Sequence, residues 1–221
     1  MPHKVKILKK TRLTHDVIQY KLEKPKDFTY SEGQAIEASL AKPEFKEDWH
    51  PFTFTSLKNE DFLELTIKIY PGDEGLTLAL SGLEEDDELL ITDPFDTFKN
   101  KGAGVFIAGG TGVTPFLALL RRLYADGKID RSKLLFANKT ENDIFLYDEF
   151  SKILGNNFIN ILSREKKQPY FHGHIDINFL KQHVSDFEQP FYICGPNGFA
   201  DDISKYLTEL GVGDDLVNIS L

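Results

Sequence analysis

Between residues 109 and 115 the chain reads Gly109-Gly110-Thr111-Gly112-Val113-Thr114-Pro115, and these residue types suit holding a phosphate at the start of a helix. Glycines allow a tight turn and a close approach of backbone to ligand. Thr114 is expected as the helix N-cap and Pro115 as the first helical residue. Bare N–H groups and the helix dipole attract anions there, and a dinucleotide pyrophosphate is the natural guest. The same seven residues also suit a strand-to-helix turn with no ligand, and the motif alone leaves that open. The single cysteine, Cys194, follows the apolar run Pro190-Phe191-Tyr192-Ile193. A nucleophilic cysteine wants a paired histidine, which nothing nearby supplies, and a lone cysteine at a strand end otherwise reads as a small buried hydrophobe. His172 and His174 flank Gly173 without further ligands at metal-binding spacing, so they read as loop histidines and no metal is expected.

The elements that must position these residues fall into two halves. Up to about Phe98 the apolar residues alternate or come in short runs: VKIL, VIQYKL, QAIEASL, PFTFTSL, FLELTIKIY and DELLI. Six short strands with one helix-like insertion, Leu76 to Leu83, predict a closed antiparallel Greek-key β-barrel. The acidic run Glu84 to Glu88 reads as an exposed turn before the last of these strands. After Ala103, strands such as GVFIAGG, KLLFANK, FINILSR and PFYICGP alternate with helical patterns such as TPFLALLRRLYADG and FADDISKYLTELG. That is the rhythm of an α/β domain with a parallel sheet, whose ligands bind beyond the carboxyl ends of the strands. The reading is therefore two domains, 1–100 and 101–221, joined near Lys99 to Gly102.

Composition narrows the classes. The chain has 221 residues, a formal net charge of -9 and one cysteine. Internal disulfides and an iron-sulfur cluster held by several thiolates of this chain are excluded, and a reducing compartment is the simplest inference. The amino terminus MPHKVKILKK carries no long apolar core, and no run of about 18 apolar residues occurs, so the expectation is a cytoplasmic protein without a membrane partner. The negative charge argues against a nucleic-acid binder. Lys4, Lys6, Lys9, Lys10 and Arg12 cluster near the start and suit either an acidic partner or one solvated strand face. A monomer is expected.

The barrel-then-sheet order, the GGTGVTP turn and the late YICGP together resemble the ferredoxin-NADP(H) reductase superfamily over essentially the whole chain. His50-Pro51-Phe52-Thr53-Phe54-Thr55-Ser56 looks like that family's Arg-x-Tyr-Ser/Thr flavin segment. The resemblance implies that FAD is bound by His50, Phe52, Thr53 and Ser56, with Thr53 bonding the flavin N5 edge and Phe52 covering the ring. His50 departs from the usual arginine and makes a weaker phosphate contact. Pro71-Gly72-Asp73-Glu74-Gly75-Leu76-Thr77 looks like the second flavin segment, in which Gly75 and Thr77 meet a flavin phosphate and Thr77 caps a short helix. Gly33-Gln34 looks like a structural turn of the family, and Asp96 stands where relatives carry a loop glycine.

In the second half the resemblance implies that Gly109, Gly110, Thr111, Gly112, Thr114 and Pro115 hold the pyrophosphate of NADPH. It places Cys194, with Gly195 and Pro196, beside the nicotinamide C4. Ser163-Arg164 looks like the 2′-phosphate site, with Lys166 and Lys167 adding positive potential. Thr53 and Cys194 are the residues expected at the chemistry. The chain ends Val217-Asn218-Ile219-Ser220-Leu221 without the terminal aromatic common in relatives, which leaves the nicotinamide face more open. The implied activity is hydride transfer from NADPH to FAD, then electron release to a protein acceptor such as flavodoxin or ferredoxin. An NAD(P)H-flavin or ferric reductase, and a non-enzymatic redox-sensing or interaction module, are the alternatives.

Overall fold

The computed structural model describes residues 2–70, 75–196 and 198–219, and the chain divides into two compact units, Met1–Thr97 and Phe98–Leu221. The first contains β1 (His3–Arg12), β2 (Val17–Glu23), β3 (Gln34–Leu40), β4 (His50–Thr53), β5 (Phe62–Lys68), α1 (Leu76–Ser81), β6 (Glu88–Ile91) and β7 (Phe95–Asp96). The antiparallel order β4-β3-β6-β1-β2-β5 is nearly closed into a barrel, and the short β7 pairs with β3. Closure comes from the residues after β4. Phe54 donates its N–H to the Gln34 carbonyl on the β3 side (3.1 Å) and bridges to Leu65 of β5, and the Thr55 N–H donates to the Glu64 carbonyl (2.8 Å).

Alternation in β1 buries Val5 and Ile7 and exposes Lys4, Lys6 and Leu8, as a barrel wall requires. Ile18, Tyr20, Leu22, Ile36, Phe54, Leu63, Leu65 and Ile91 complete the interior, and the Tyr20 hydroxyl donates to the Leu80 carbonyl (2.9 Å), tying α1 to β2. The basic cluster is largely a solvated face: Lys4 pairs with Glu88 (3.1 Å), and Lys10 pairs with Glu84 (2.8 Å) in the exposed acidic run.

The second unit contains β8 (Val105–Gly109), α2 (Thr114–Ala125), β9 (Lys133–Asn138), α3 (Tyr147–Leu154), β10 (Phe158–Leu162), β11 (Phe171–His172), α4 (Ile177–His183), β12 (Phe191–Cys194), α5 (Phe199–Glu209) and β13 (Val217–Ile219). Its sheet is parallel, in the order β11-β10-β9-β8-β12-β13. The unbroken apolar run of β8 is buried throughout, as expected of a strand with helices on both faces. On one face Phe106 stacks on Tyr192 (centroids 4.4 Å apart) and meets Phe116 of α2 edge-on (5.3 Å). On the other, Ile107, Leu135, Ile161 and Ile193 pack with Phe179, Leu180, Ile203 and Leu207 of α4 and α5.

The two-residue β11 and the three-residue β13 are too short for periodicity to reveal, and β11 places His172 on a sheet edge rather than in a loop. Among the described residues no group of three or more His, Cys, Asp or Glu could hold a metal, and no helix is long and apolar enough to cross a membrane.

Phe106→Ala is expected to lower stability by about 3–5 kcal/mol in urea unfolding, because a fully buried ring leaves a cavity between α2 and Tyr192. Tyr192→Phe keeps the packing but strands the Lys101 N–H and the Gly102 carbonyl that its hydroxyl bonds, with an expected loss of about 1–2 kcal/mol.

Candidate functional site

The parallel sheet begins at β8 and grows outward in both directions, to β9 on one side and β12 on the other. Between β8 and β12 the chain order reverses, and the carboxyl ends of such a pair open a crevice that binds ligands. The residues bordering this crevice are the two motifs of the second unit. Ala108 pairs in register with Cys194, so the turn after β8 and the turn after β12 leave the sheet at the same level.

Their glycines do different work. A Cβ on Gly112 would lie 2.3 Å from the Cys194 carbonyl oxygen and 2.7 Å from the Gly195 nitrogen, so the two loops touch backbone to backbone. A Cβ on Gly109 would lie 2.9 Å from Pro196 Cδ, and one on Gly195 would lie 2.5 Å from the Phe199 ring. Gly110 is at φ +55° with open space where its side chain would be. The chain's own packing therefore accounts for Gly109, Gly112 and Gly195, and the left-handed turn accounts for Gly110.

The expected cap is different. A 3-10 turn, Gly110–Val113, runs directly into α2, whose N-cap position is Val113 at helical φ -75°. Thr114 is thus the first helical residue and Pro115 the second, and the Thr114 hydroxyl donates to the Thr111 carbonyl (2.9 Å). An N-cap needs an extended residue, and the 3-10 turn leaves none. The uncapped N–H groups move forward to the start of that turn, where Thr111 is half-buried and its hydroxyl has no partner among the described residues. An anion fits there.

Cys194 is half-buried at the carboxyl end of β12. Burial pushes its thiol up to about 11, against the opposing pull of the Gly195 N–H, so it is protonated at neutral pH. It presents a polarisable surface and no nucleophile.

Further along the same sheet edge the Ser163 N–H donates to the Asn138 carbonyl and the Arg164 N–H to the Lys139 carbonyl (2.9 Å each), placing the Ser163-Arg164 pair beside the end of β9. Arg164 and Lys139 are exposed and have no ion-pair partner among the described residues. Asn138 is 6% exposed, and both its amide atoms lack a partner among the described residues. An orphaned amide is costly, and at a strand's carboxyl end it suits a site completed by a ligand.

Lys167 does not add free positive potential: its ammonium is paired with Glu141, which also accepts the Tyr170 hydroxyl (3.0 Å). The bond to Lys167 holds the Glu141 carboxyl below its usual range, and the same contact raises Lys167. Burial and the Glu141 carboxylate push the Tyr170 hydroxyl up to about 12. Glu141 carries no periodic signal of its own. Only the spacing of Thr140 and Asp143, which form a capping box around it, marks the local turn.

In the barrel, β4 carries the flavin-like segment at the edge of β3, with Thr53 opposite Ala35. Thr53 is half-buried, and its hydroxyl has no partner among the described residues. Phe52 is half-buried, packed partly on the barrel core, which leaves part of its ring to cover a ligand. These two suit the aromatic, hydrogen-bonding end of a flavin.

The remaining barrel expectations change. Ser56 is fully buried: its hydroxyl accepts the Glu64 N–H (2.9 Å) and bonds the Tyr30 hydroxyl (2.7 Å), so it has no exposed atom for a ligand. The His50 ring is bonded to Asp48 (2.9 Å), and that carboxylate opposes an anion at the same place. The N-cap of α1 is Gly75, with no side-chain cap, and Thr77 lies one position inside the first helical residue. The Thr77 hydroxyl accepts the Tyr70 N–H (3.5 Å) instead of capping. Pro71 to Glu74 of this segment, and Ser220 and Leu221 of the carboxyl end, lie outside the described residues. Asp96 forms β7, accepting the Gln34 amide (2.9 Å), while the Thr97 hydroxyl donates to the Gly33 carbonyl (2.6 Å). Two ladder pairings and two side-chain bonds hold this loop in place.

Comparison with known proteins agrees with the two-unit layout. Residues 3–81 match the FAD-binding domain family and residues 106–205 the oxidoreductase NAD-binding domain family. Cytochrome b5 reductase 4 of Xenopus tropicalis is 30% identical over 179 residues, 74% of this chain and 34% of that protein. The reductase component of propane 2-monooxygenase from Mycolicibacterium goodii is 26% identical over 221 residues, 92% of this chain and 63% of that one. The chain thus spans from about a third to just under two thirds of these curated relatives. The crystal structure of a ferredoxin NADP+ reductase from Neisseria gonorrhoeae, with bound FAD and NADP, shares the fold with a TM-score of 0.83 at 16% identity, covering 99% of this chain and 98% of that one.

Gly112→Ala is expected to cost about 2–4 kcal/mol in chemical unfolding, since two backbones must separate, whereas Gly110→Ala costs about 1 kcal/mol for its left-handed φ alone. Alkylation of Cys194 by iodoacetamide at pH 8 is expected to run about two orders of magnitude slower than that of an unperturbed thiol, accelerating as pH approaches 11.

Proposed function

We propose that this chain, whose segments match an FAD-binding domain and an oxidoreductase NAD-binding domain, is a flavin-dependent NAD(P)H oxidoreductase of the ferredoxin-NADP(H) reductase superfamily delivering electrons to a carrier protein. The observation that carries the reading is the meeting of the Gly109–Thr114 turn with Cys194-Gly195-Pro196 at the β8/β12 reversal, in a chain whose other unit matches an FAD-binding domain. When bound, FAD supplies two-electron acceptance from a reduced nicotinamide and one-electron release to an acceptor.

The chain's own residues bind and orient. The 3-10 turn at Gly110 and Thr111 receives the dinucleotide pyrophosphate, and the protonated Cys194 thiol presents a small polarisable surface to the nicotinamide. Arg164, an exposed cation without an acidic partner among the described residues, supports NADPH as donor through its 2′-phosphate. In the barrel Thr53 offers a hydroxyl to the flavin edge and Phe52 a stacking surface. Flavodoxin or ferredoxin is the first acceptor to test. The printed names of relatives, a cytochrome b5 reductase and a monooxygenase reductase component, widen the choice to haem and oxygenase partners.

The His50–Asp48 bond favours a second reading, in which flavin is weakly held and exchanged as a substrate of a flavin reductase.

Anaerobic NADPH added to the FAD-loaded protein is expected to bleach the oxidised-flavin band stoichiometrically. Thr53→Ala is expected to slow that bleaching about 10- to 100-fold while leaving NADPH affinity in place. Arg164→Ala is expected to raise KM for NADPH about tenfold and leave KM for NADH unchanged. Protein that binds FAD yet is bleached by neither nucleotide overturns the proposal, and FAD lost on gel filtration with retained turnover selects the flavin-reductase reading.

A further inference from the structure

Glu141 joins the loop after β9 to the loop after β10. Its carboxylate pairs with the Lys167 ammonium and accepts the Tyr170 hydroxyl (3.0 Å), while its own N–H donates to the Glu165 carboxylate (2.8 Å). The capping box of Thr140 and Asp143 holds Glu141 at the first position of the turn Glu141–Asp143. One residue before that box, the Lys139 carbonyl accepts the Arg164 N–H (2.9 Å), so this cluster is built onto the segment that presents Ser163 and Arg164. An ammonium and a phenolic O–H thus converge on an anion, and that anion is the chain's own carboxylate. The same two donors suit a phosphate monoester.

We infer that Glu141 sets the nucleotide preference of this site: its carboxylate occupies the Lys167–Tyr170 donor pair, leaving a ribose 2′-phosphate to Ser163 and Arg164 without that pair. The inference rests on the reading that the nucleotide's adenosine end is received at Ser163-Arg164. A 2′-phosphate carries a charge of about -1.5 to -2 and is repelled by a neighbouring carboxylate, whereas a free 2′-hydroxyl is not. Glu141 is 36% exposed in its side chain and Lys167 48%, so solvent moderates the repulsion and the preference is restrained rather than abolished. NADPH is favoured over NADH by less than the basic residues of Ser163-Arg164-Glu165-Lys166-Lys167 imply.

The test uses the FAD-loaded full chain and two readouts, calorimetric binding of 2′,5′-ADP against 5′-AMP, and kcat/KM for NADPH against NADH. Glu141→Gln is expected to tighten 2′,5′-ADP about fivefold and leave 5′-AMP unchanged, and to raise the NADPH:NADH ratio by the same factor through KM. Lys167→Met alone is expected to shift the ratio less than about twofold, because that ammonium is already neutralised, yet to cancel the gain in the Glu141→Gln background. An unchanged or lower ratio in Glu141→Gln, or equal weakening of both adenosine phosphates, overturns the inference and makes the carboxylate a loop tie. If Glu141→Gln gives that result while the wild-type protein is bleached by NADPH, the proposed activity stands and this inference alone falls. Wild-type protein that binds neither adenosine phosphate overturns the underlying reading and this inference together.

Discussion

The second unit depends on one contact, the approach of the Gly112 backbone to the Cys194 carbonyl and the Gly195 nitrogen. Parallel neighbours β8 and β12 end level, with Ala108 opposite Cys194, so the chain leaving each strand must turn within the same few ångströms. Any side chain at Gly112 would hold the two turns apart. Because they meet, Gly110 and Thr111 are left as the open lip of the crevice and Cys194 as its neighbour across the reversal. The glycines of this motif thus serve chiefly to let the protein close on itself, and the proposed anion site is what that closure leaves uncovered.

A comparable economy governs the barrel. The residues after β4 bond to β3 and then to β5, which nearly closes the sheet and turns Phe54 and Ser56 inward. Thr53, one residue before this crossing, is left half-buried, its hydroxyl without a partner among the described residues. Neighbouring residues in one motif therefore meet different fates: Ser56 joins the core network with Tyr30 and Glu64, while Phe52 and Thr53 stay half-buried. Alternation in the sequence indicated a strand there, but the point at which the strand leaves one neighbour for another is a matter of closure and has no periodic mark.

Charge shows the same division. The net charge of -9 argues against a general nucleic-acid binder. Which charges stay free was a separate matter. Lys4 and Lys10 are answered by Glu88 and Glu84, the His50 ring by Asp48, and Lys167 by Glu141, 26 residues away in the chain. A count of lysines and arginines along a loop cannot register a carboxylate delivered by a different loop.

By itself the sequence determined the element types, the barrel-then-sheet order, the glycine turn after β8 and the place of Cys194, because each is written in local periodicity, turn chemistry or spacing. Only the tertiary structure decided that Val113 rather than Thr114 occupies the N-cap position of α2, that Gly75 rather than Thr77 occupies that of α1, that Ser56 is core, and that Asp96 builds β7. It also decided that Lys167 and Tyr170 face Glu141. These outcomes turn on which distant backbone or side chain arrives at a given donor or acceptor, and that pairing is set by closure of the barrel and the order of the parallel strands, not by the residues adjacent in the chain.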